Sequence, residues 1–442
     1  MKKKTIILGA GISGLSAAHF LSKKSDDFLV LEGSNRVGGN IHSEKIDGYL
    51  CENGPNTVLL NNTALLQLIQ DLSLESKVCK PSKSAAHSRF VLHNNKLQKI
   101  PTNPLQFFTT PLLKFSDKLL LLKEPFVNKH KTDTSIASFS INRFGKGFYE
   151  QFILPFVTGI YAGNPEKMSI KHALKLLWDM EQKHGSVFKG FQQKRKEQKK
   201  DSLPKIKMFT LPNGLEQLTD SIAEKLGSKL HLNSKVERIE KLDSLYKVHT
   251  NKKSFECEQI ICCLPASIMS TLVEDEHLSQ ELQSIEYVPV DVFHFGFDKK
   301  QVKNQVPGFG LLTKETDKKH FLGLLFNSRI FPHTCPEGKE LFTLIVGGSR
   351  QTHLCQEDPS KLQHTLLSEV SEILETKGEP CFSKHIRYQK AIPQYGLNHQ
   401  QLLDSLRNYQ SNNPNFYFLS NYTNGVSVSD RVLRSQELIN NL

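Results

Sequence analysis

Short apolar runs alternate with helical periodicities at both ends of this chain, and a dense apolar stretch separates them. Lys4 to Leu8 (KTIIL) reads as a buried strand, Gly9 to Gly14 as a tight turn, Ser13 to Lys24 as a helix, and Phe28 to Leu31 as a second strand. Two apolar strands joined by a helix make a βαβ unit of a parallel sheet buried on both faces. Asn35 to Asn40 is polar and glycine-rich, hence a loop, and Ile41 to Cys51 reads as a hairpin.

From Phe90 to Glu181 the period changes. LQFFTTPLLKFSDKLLLL and GFYEQFILPFVTGIY place apolar and aromatic residues at helical spacing, punctuated by proline. This predicts a mostly helical insertion, greasy enough on several faces to line an apolar pocket or to rest against a bilayer. Alternation then returns: a helix over Gly214–Leu226, an edge strand over Lys229–Ile239 and a buried strand over Gln259–Leu264. Val288–Phe297, Phe309–Thr313, His320–Phe326 and Leu341–Gly347 read as strands of a mixed or antiparallel sheet. A helix over Pro359–Thr376, a strand over Phe416–Ser420 and a helix from Ser429 complete the pattern. The expected architecture is α/β: a discontinuous dinucleotide-binding domain (1–85, 208–266, 393–442), a helical insertion (86–207) and a mixed-sheet substrate domain (267–392).

Composition narrows this little. A length of 442 residues suits two or three domains, and 38% hydrophobic with 23% charged residues is ordinary for a folded protein. No apolar run is long enough for a membrane-spanning helix. Lys2, Lys3 and Lys4 before an apolar stretch superficially resemble a secretory signal, but Gly9, Gly11 and Gly14 would break its helix. The 8 cysteines include no C-x-x-C pair, which points to a reducing cytoplasm, and the 17 histidines include no H-E-x-x-H, so no metal site is expected. Half of the net charge of +12 lies between Lys189 and Lys207, where eight basic residues face Glu197 and Asp201. That segment reads either as a solvated loop or as a peripheral contact with anionic lipid on the inner face of a membrane. It lacks interleaved aromatics, so nucleic acid is not an expected partner.

Gly9-Ala10-Gly11-Ile12-Ser13-Gly14 matches G-x-G-x-x-G between strand and helix. Such glycines permit the turn, the approach of a pyrophosphate and the packing of helix on strand, while the helix N-terminus offers free amides to phosphate. Glu32 ends the second strand, where a carboxylate takes a ribose hydroxyl. A second glycine pair follows in Arg36-Val37-Gly38-Gly39, then Gly54-Pro55-Asn56-Thr57. An NAD enzyme has no need of the second pair, so FAD is the expected cofactor, with Arg36 able to meet the pyrophosphate.

The loops after Glu32 resemble those of the flavoprotein superfamily of amine oxidases and phytoene desaturases. Four further segments sharpen the likeness: Gly159-Ile160-Tyr161-Ala162-Gly163-Asn164-Pro165 closing on Met168-Ser169, Leu211 to Leu218 (LPNGLEQL), Ala391 to Tyr395 (AIPQY), and Phe418 to Asp430 (FLSNYTNGVSVSD). In this order, over nearly the whole chain, they resemble the protoporphyrinogen/coproporphyrinogen III oxidase family of haem biosynthesis. The resemblance implies an FAD-binding Rossmann-like fold. Its cofactor contacts would be Gly9, Ala10, Gly11, Ile12, Ser13, Gly14, Glu32, Gly33, Arg36, Gly39, Asn40, Gly54, Pro55, Asn56, Thr57, Val236 (at the adenine), Val426, Ser427 and Val428. It places Arg89 on a substrate propionate, Leu312 and Ile345 around a substrate ring, and Ala162 and Gly163 against the pyrroles. Gln400 departs from members that carry tryptophan there.

The implied reaction aromatises a porphyrinogen in three two-electron steps, with hydride going to the flavin, oxygen as acceptor and no protein group assigned as catalyst. A sister amine oxidase or carotenoid desaturase is the alternative, and Arg89 tells against it, since neutral carotenoids and amines need no carboxylate anchor. A non-catalytic flavin-binding protein is a third reading. Both porphyrinogens remain open as substrate, the basic balance leaning mildly to the more anionic coproporphyrinogen, and a homodimer is compatible with the sequence.

Overall fold

The computed structural model describes residues 2–197, 208–423 and 425–442. The first sheet runs in the order Val236–Lys241, Tyr246–Thr250, Ser254–Cys262, Lys2–Leu8, Phe28–Leu31 and Leu230–His231. Phe416–Phe418 lies parallel to the C-terminal end of Ser254–Cys262. The strands around Lys2–Leu8 are parallel, as the βαβ reading predicts, and the two outer strands before Ser254–Cys262 are antiparallel. Alternation within each strand feeds two separate cores. Ile7, Val30 and Ile261 pack against the helices Ile12–Ser22, Glu216–Leu226 and Val428–Asn440. Ile6, Leu8, Leu29 and Ile260 face the other way, towards Leu278 and Leu282 of the helix Glu276–Gln283 and Leu402 and Leu406 of the helix His399–Asn412. Burial on both faces is why these strands read as continuous apolar runs.

The second sheet runs in the order Phe382–Pro393, Tyr287–Asp298, Lys339–Gly347, Gly323–Leu325, Gly310–Leu312, Arg89–His93 and Lys96–Lys99. All neighbours are antiparallel except Gly310–Leu312 and Arg89–His93. One face, with Phe90, Phe293, Phe295, Leu311, Phe342 and Leu344, packs on the helix Pro359–Leu374. Its opposite face looks towards the first domain.

Two expectations need correction. The helical insertion does not begin at Phe90. Arg89–His93 and Lys96–Lys99 form a hairpin turned at Asn94 and Asn95, both at positive φ (51° and 58°). Asparagine tolerates that left-handed turn, and Phe90 and Leu92 alternate into the sheet core, a period-two signal hidden by the helices that follow. The edge strand Phe382–Pro393 was also not anticipated. Lys384, His385, Arg387 and Lys390 obscure its alternation, because an edge strand keeps charge at its solvated side.

Helices then run from Pro104–Thr109 to Val187–Glu197, interrupted by a π-helical turn at Tyr149–Ile153. They enclose a core of Ile136, Phe139, Phe144, Val157 and Ile170. No helix among the described residues is long and apolar enough to cross a membrane. Lys199, Lys200, Lys205 and Lys207 of the basic segment lie outside the described residues.

Candidate functional site

The first glycine turn is held by contacts that leave no room for side chains where the backbone closes. Gly9 sits at φ +95°, and a Cβ on Gly14 would stand 1.9 Å from the Gly9 carbonyl oxygen. Gly11 differs: a Cβ there meets nothing within 4 Å, so the turn opens onto free space at that residue. No side chain caps the helix Ile12–Ser22 and no acidic residue stands in its first turn, so its leading amides are left for an anionic ligand. Gly11 is bridged to Gly38, and Gly38 donates its N–H to the Ala10 carbonyl at 2.9 Å, which lays the second glycine loop beside the first.

Glu32 accepts hydrogen bonds from the Ala10 amide at 2.7 Å and from the Ser34 amide and hydroxyl at 2.9 Å each. Its carboxylate is thereby fixed at the strand end beside the turn. Ser234 donates to the Glu32 carbonyl at 2.7 Å, and Gly33 lies against Lys235, which brings buried Val236 to the same end. Arg36 is more committed than its sequence context suggests. Its guanidinium donates to the carbonyls of Val37, Gly39 and Ile41 at 3.0, 2.6 and 3.2 Å and lies 3.5 Å from Glu216. It shapes the loop that carries Gly38, Gly39 and Asn40.

Gly54 packs so closely under this loop that a Cβ would stand 1.8 Å from the Asn40 carbonyl oxygen. Pro55, Asn56 and Thr57 continue the turn half-buried, and Asn56 accepts the Asn327 amide at 2.9 Å, which joins it to the second sheet's side. At the far end of the chain, Ser427 caps the helix Val428–Asn440 by accepting from the Asp430 amide, with Val426 just before it. Ser435 donates to the Ser13 carbonyl at 3.0 Å, tying this helix to the first. An uncapped helix start, a glycine opening and a fixed carboxylate together fit a flavin adenine dinucleotide.

Beside these loops lies a carboxylate that sequence reasoning missed. Glu52 is buried, accepting from the Ser43 hydroxyl at 2.6 Å and the Leu215 amide at 2.8 Å, while Ser43 donates its amide to Glu216 at 2.8 Å. An acid ending an apolar hairpin strand (YLCE) was the available signal. Burial pushes its carboxyl up to about 7. A raised native pKa makes the folded state bind a proton more tightly than the unfolded chain. The stability is therefore fully present below the unfolded value near 4.5 and is lost as pH rises through about 7. The full swing is about 3 kcal/mol. Glu52→Gln should flatten this part of the profile, so the variant gains on the wild type between pH 5 and pH 8 in urea melts, at about 1.4 kcal/mol per pKa unit. A constant difference across that range would show that Glu52 stays ionised when folded.

The predicted substrate residues gather on the face of the second sheet opposite the helix Pro359–Leu374. Register pairs Val91 with Leu312, Leu312 with Gly323, Gly323 with Ile345, and Ile345 with Val292, so these lie side by side in one row. Arg89 pairs with Gly310, two residues before Leu312, and so points to the same face at its exposed rim. Its guanidinium lies over the Phe309 ring at 4.9 Å and joins no ion pair among the described residues. Ala162 ends the helix Leu154–Tyr161 in the left-handed conformation at φ +50°, and its carbonyl accepts the Ser349 amide at 2.7 Å. It packs with Val292 and Ile345. Gly159 seats that helix on Leu312, where a Cβ would come within 2.5 Å of the leucine side chain, and Gly163 is packed as tightly on Gln394. Gln400 is engaged elsewhere, accepting from Lys171 and donating to Asp404.

The sequence profile described as flavin containing amine oxidoreductase matches residues 12–435. The mitochondrial protoporphyrinogen oxidase of Nicotiana tabacum is 29% identical, covering 96% of this chain and 92% of its own length. The coproporphyrinogen III oxidase of Bacillus subtilis (strain 168) is 27% identical, covering 97% of this chain and 95% of its own. A crystal structure from Exiguobacterium sp. 255-15 shares the fold with a TM-score of 0.85 at 24% identity, covering 99% of this chain and 98% of that one.

Proposed function

Because this chain belongs to the flavin containing amine oxidoreductase family, we propose that it is an FAD-dependent oxidase that aromatises a porphyrinogen in haem biosynthesis. One observation carries the reading: Arg89, without an ion-pair partner among the described residues, stands at the rim of an apolar sheet face, Leu312 to Val292, that Ala162 packs against. A planar tetrapyrrole with carboxylate arms needs that combination, and neither an amine nor a carotenoid uses the cation. When bound, FAD takes up the two electrons of each oxidation and delivers them to oxygen. The glycine turns, Glu32 and the cap at Ser427 hold the cofactor. Arg89 fixes the substrate by a carboxylate, and the row of Leu312 and Ile345 lays its ring flat and excludes water.

Anaerobic mixing of flavin-loaded protein with a porphyrinogen should bleach the flavin absorbance. In Arg89→Ala the KM for porphyrinogen should rise about 10- to 100-fold, the worth of one charge-assisted hydrogen bond of about 1.5–3 kcal/mol. Flavin content should stay at the wild-type level. Equal loss of flavin and of substrate binding would make Arg89 a structural residue.

Peripheral membrane contact belongs to the same proposal. The helices Pro104–Thr109 and Phe115–Leu122 expose Leu105, Phe108, Phe115, Leu119 and Leu122, followed by Phe126, which is 85% exposed. Lys114 and Lys123 flank them, and Lys189, Lys194, Arg195 and Lys196 lie on the basic helix Val187–Glu197. Burying apolar tips among acyl chains with cations at headgroup level is the mode of a monotopic protein in a cytoplasmic compartment. In vesicle flotation with phosphatidylserine, a Phe115→Asp/Phe126→Asp variant should lose at least about tenfold in partitioning, since each buried phenylalanine contributes about 1.5–3 kcal/mol. Unchanged flotation would remove this face as the contact.

A further inference from the structure

Resting on the porphyrinogen reading, we propose that Gln394 and Tyr395 are positioning residues, two arms of one strut that sets the spacing between the substrate-facing turn at 161–163 and the cofactor segment at 426–428. The two residues follow directly on the edge strand Phe382–Pro393, within the AIPQY motif.

Gln394 is the arm on the substrate side. A helix leaves its last carbonyls without partners of its own. Where the helix Leu154–Tyr161 ends, Gln394 donates its side-chain amide to the Tyr161 carbonyl at 2.9 Å, and Ser349 donates its backbone amide to the Ala162 carbonyl at 2.7 Å. The same Gln394 nitrogen reaches the Ile392 carbonyl of its own strand at 3.1 Å. Its oxygen packs on Gly163, where a Cβ would come within 2.2 Å of it. The turn is thereby pinned to the strand end.

Tyr395 is the arm on the cofactor side. It is buried, and its hydroxyl donates to the Asn421 carbonyl, in the stretch that leads towards Val426. Burial holds the phenol well above its usual range, so it keeps the proton it donates. Arg431, on the helix Val428–Asn440, donates to the neighbouring Ser420 carbonyl at 2.5 Å. That stretch is therefore fastened both to the strut and to the helix that Ser427 caps. The Tyr395 ring stacks on His399 at 4.4 Å and stands 6.3 Å from the Tyr161 ring, and Val426 packs on the same core as both tyrosines.

Between the arms the backbone has no slack. Gln394 donates its backbone amide to the Glu286 carbonyl at 2.9 Å, and the Tyr395 carbonyl accepts the Ser169 amide at 2.8 Å. Met168 bridges to Gly396 just beyond. Adjacent residues on a backbone held from both sides thus tie the substrate turn and the cofactor segment to one rigid piece. A misplacement of about 1 Å between reacting groups costs about 100-fold in rate. The strut acts on rate rather than on affinity.

Tyr395→Phe deletes the hydroxyl and keeps the ring, and Gln394→Met keeps the side-chain length and deletes both donors. In each flavin-loaded variant, saturating protoporphyrinogen IX should bleach the flavin at least about tenfold more slowly, with the half-saturating concentration within about threefold of wild type. FAD affinity should fall no more than about tenfold, the worth of one neutral hydrogen bond. Because the arms act in series, the double variant should match the slower single one within about threefold. Losses that multiply, or variants that bleach at the wild-type rate, overturn the strut. Hydrogen exchange of the holoenzymes gives a readout that needs no porphyrinogen. Tyr395→Phe should exchange at least about tenfold faster over both 159–165 and 425–428, while 9–14 stays as protected as in wild type. Acceleration confined to 425–428 would mean that the two ends are not connected, and it too overturns the strut. Should Gln394→Met fail to fold, the rate and the exchange of Tyr395→Phe decide. Wild-type holoenzyme that protoporphyrinogen IX does not bleach overturns the porphyrinogen reading, and the exchange comparison then decides the strut alone.

Discussion

Gly14→Ala protein is expected to emerge from purification without flavin, whereas Gly11→Ala should fold normally and lose flavin for a different reason. At Gly14 the new methyl would lie 1.9 Å from the Gly9 carbonyl oxygen, far inside contact distance and against backbone, which cannot rotate away. The turn must open, and opening it moves Gly11 away from Gly38 and Ala10 away from Glu32. Overpacking of this kind costs about 1–3 kcal/mol even where side chains can yield, so rigid backbone puts Gly14→Ala at or above the top of that range. A methyl on Gly11 meets nothing within 4 Å of protein and leaves the fold intact, but it occupies the opening beside the free helix amides where a pyrophosphate would lie. Absorbance ratios of flavin to protein and thermal melting with and without added FAD separate the cases. The Gly14 variant should melt lower in both conditions. The Gly11 variant should melt like wild-type apoprotein and gain nothing from FAD. Full flavin occupancy in Gly14→Ala would mean that this turn is not the cofactor's.

The legible parts of the molecule were those whose chemistry is local. The glycine turn and the strand-end position of Glu32 depend on backbone within a few residues, and the strand Lys2–Leu8, the helix Ile12–Ser22 and the strand Phe28–Leu31 follow one another as the pattern predicts. The final helix, by contrast, begins at Val428, capped by Ser427, one residue before the expected Ser429. Arg36 shows where local reading stops. Its motif suggested a ligand contact, but its partners are carbonyls of its own loop and Glu216, on a helix far along the chain. Glu52 escaped for the same reason, since the Leu215 amide and the Ser43–Glu216 bond that surround it come from different segments.

The substrate face was legible only through resemblance. Nothing in the spacing of Arg89, Leu312 and Ile345 announces that three strands will set them on one face. That follows from the parallel pairing of Arg89–His93 with Gly310–Leu312, the one parallel contact in an otherwise antiparallel sheet. The hairpin that supplies Arg89 was hidden beneath the helical signal of its neighbours, so the domain to which Arg89 belongs was misplaced while its proposed role was retained.

Truncating Arg143 to alanine should destabilise the helical insertion by about 3–5 kcal/mol, the cost of leaving carboxylates buried without their cation. Arg143, Glu124 and Glu181 have fully buried side chains, with the guanidinium 2.7 Å from Glu124 and 2.5 Å from Glu181. Each carboxylate also fastens another segment. Glu124 accepts the Ser186 hydroxyl and the Val187 amide, capping the start of the basic helix, and Glu181 accepts the amide and ring nitrogen of His130. The third arm of Arg143 reaches the carbonyls of Val127, Asn128 and Gly185. A planar fork with five donors can serve all of these at once, and lysine cannot, so Arg143→Lys should recover only part of the loss. In sequence these residues look like ordinary surface charges on amphipathic helices, which is why the knot was invisible there. Because it lies within the insertion, the damage should be regional: hydrogen exchange should accelerate over 124–197 while 2–31 and 254–262 keep their protection and the flavin stays bound. The triple variant Arg143→Met/Glu124→Leu/Glu181→Leu should restore much of the stability, since apolar packing removes the desolvation cost that the ion pairs oppose. Uniform loss of protection across both domains would show that the knot holds the whole molecule together, and unchanged stability in Arg143→Ala would show that water reaches it.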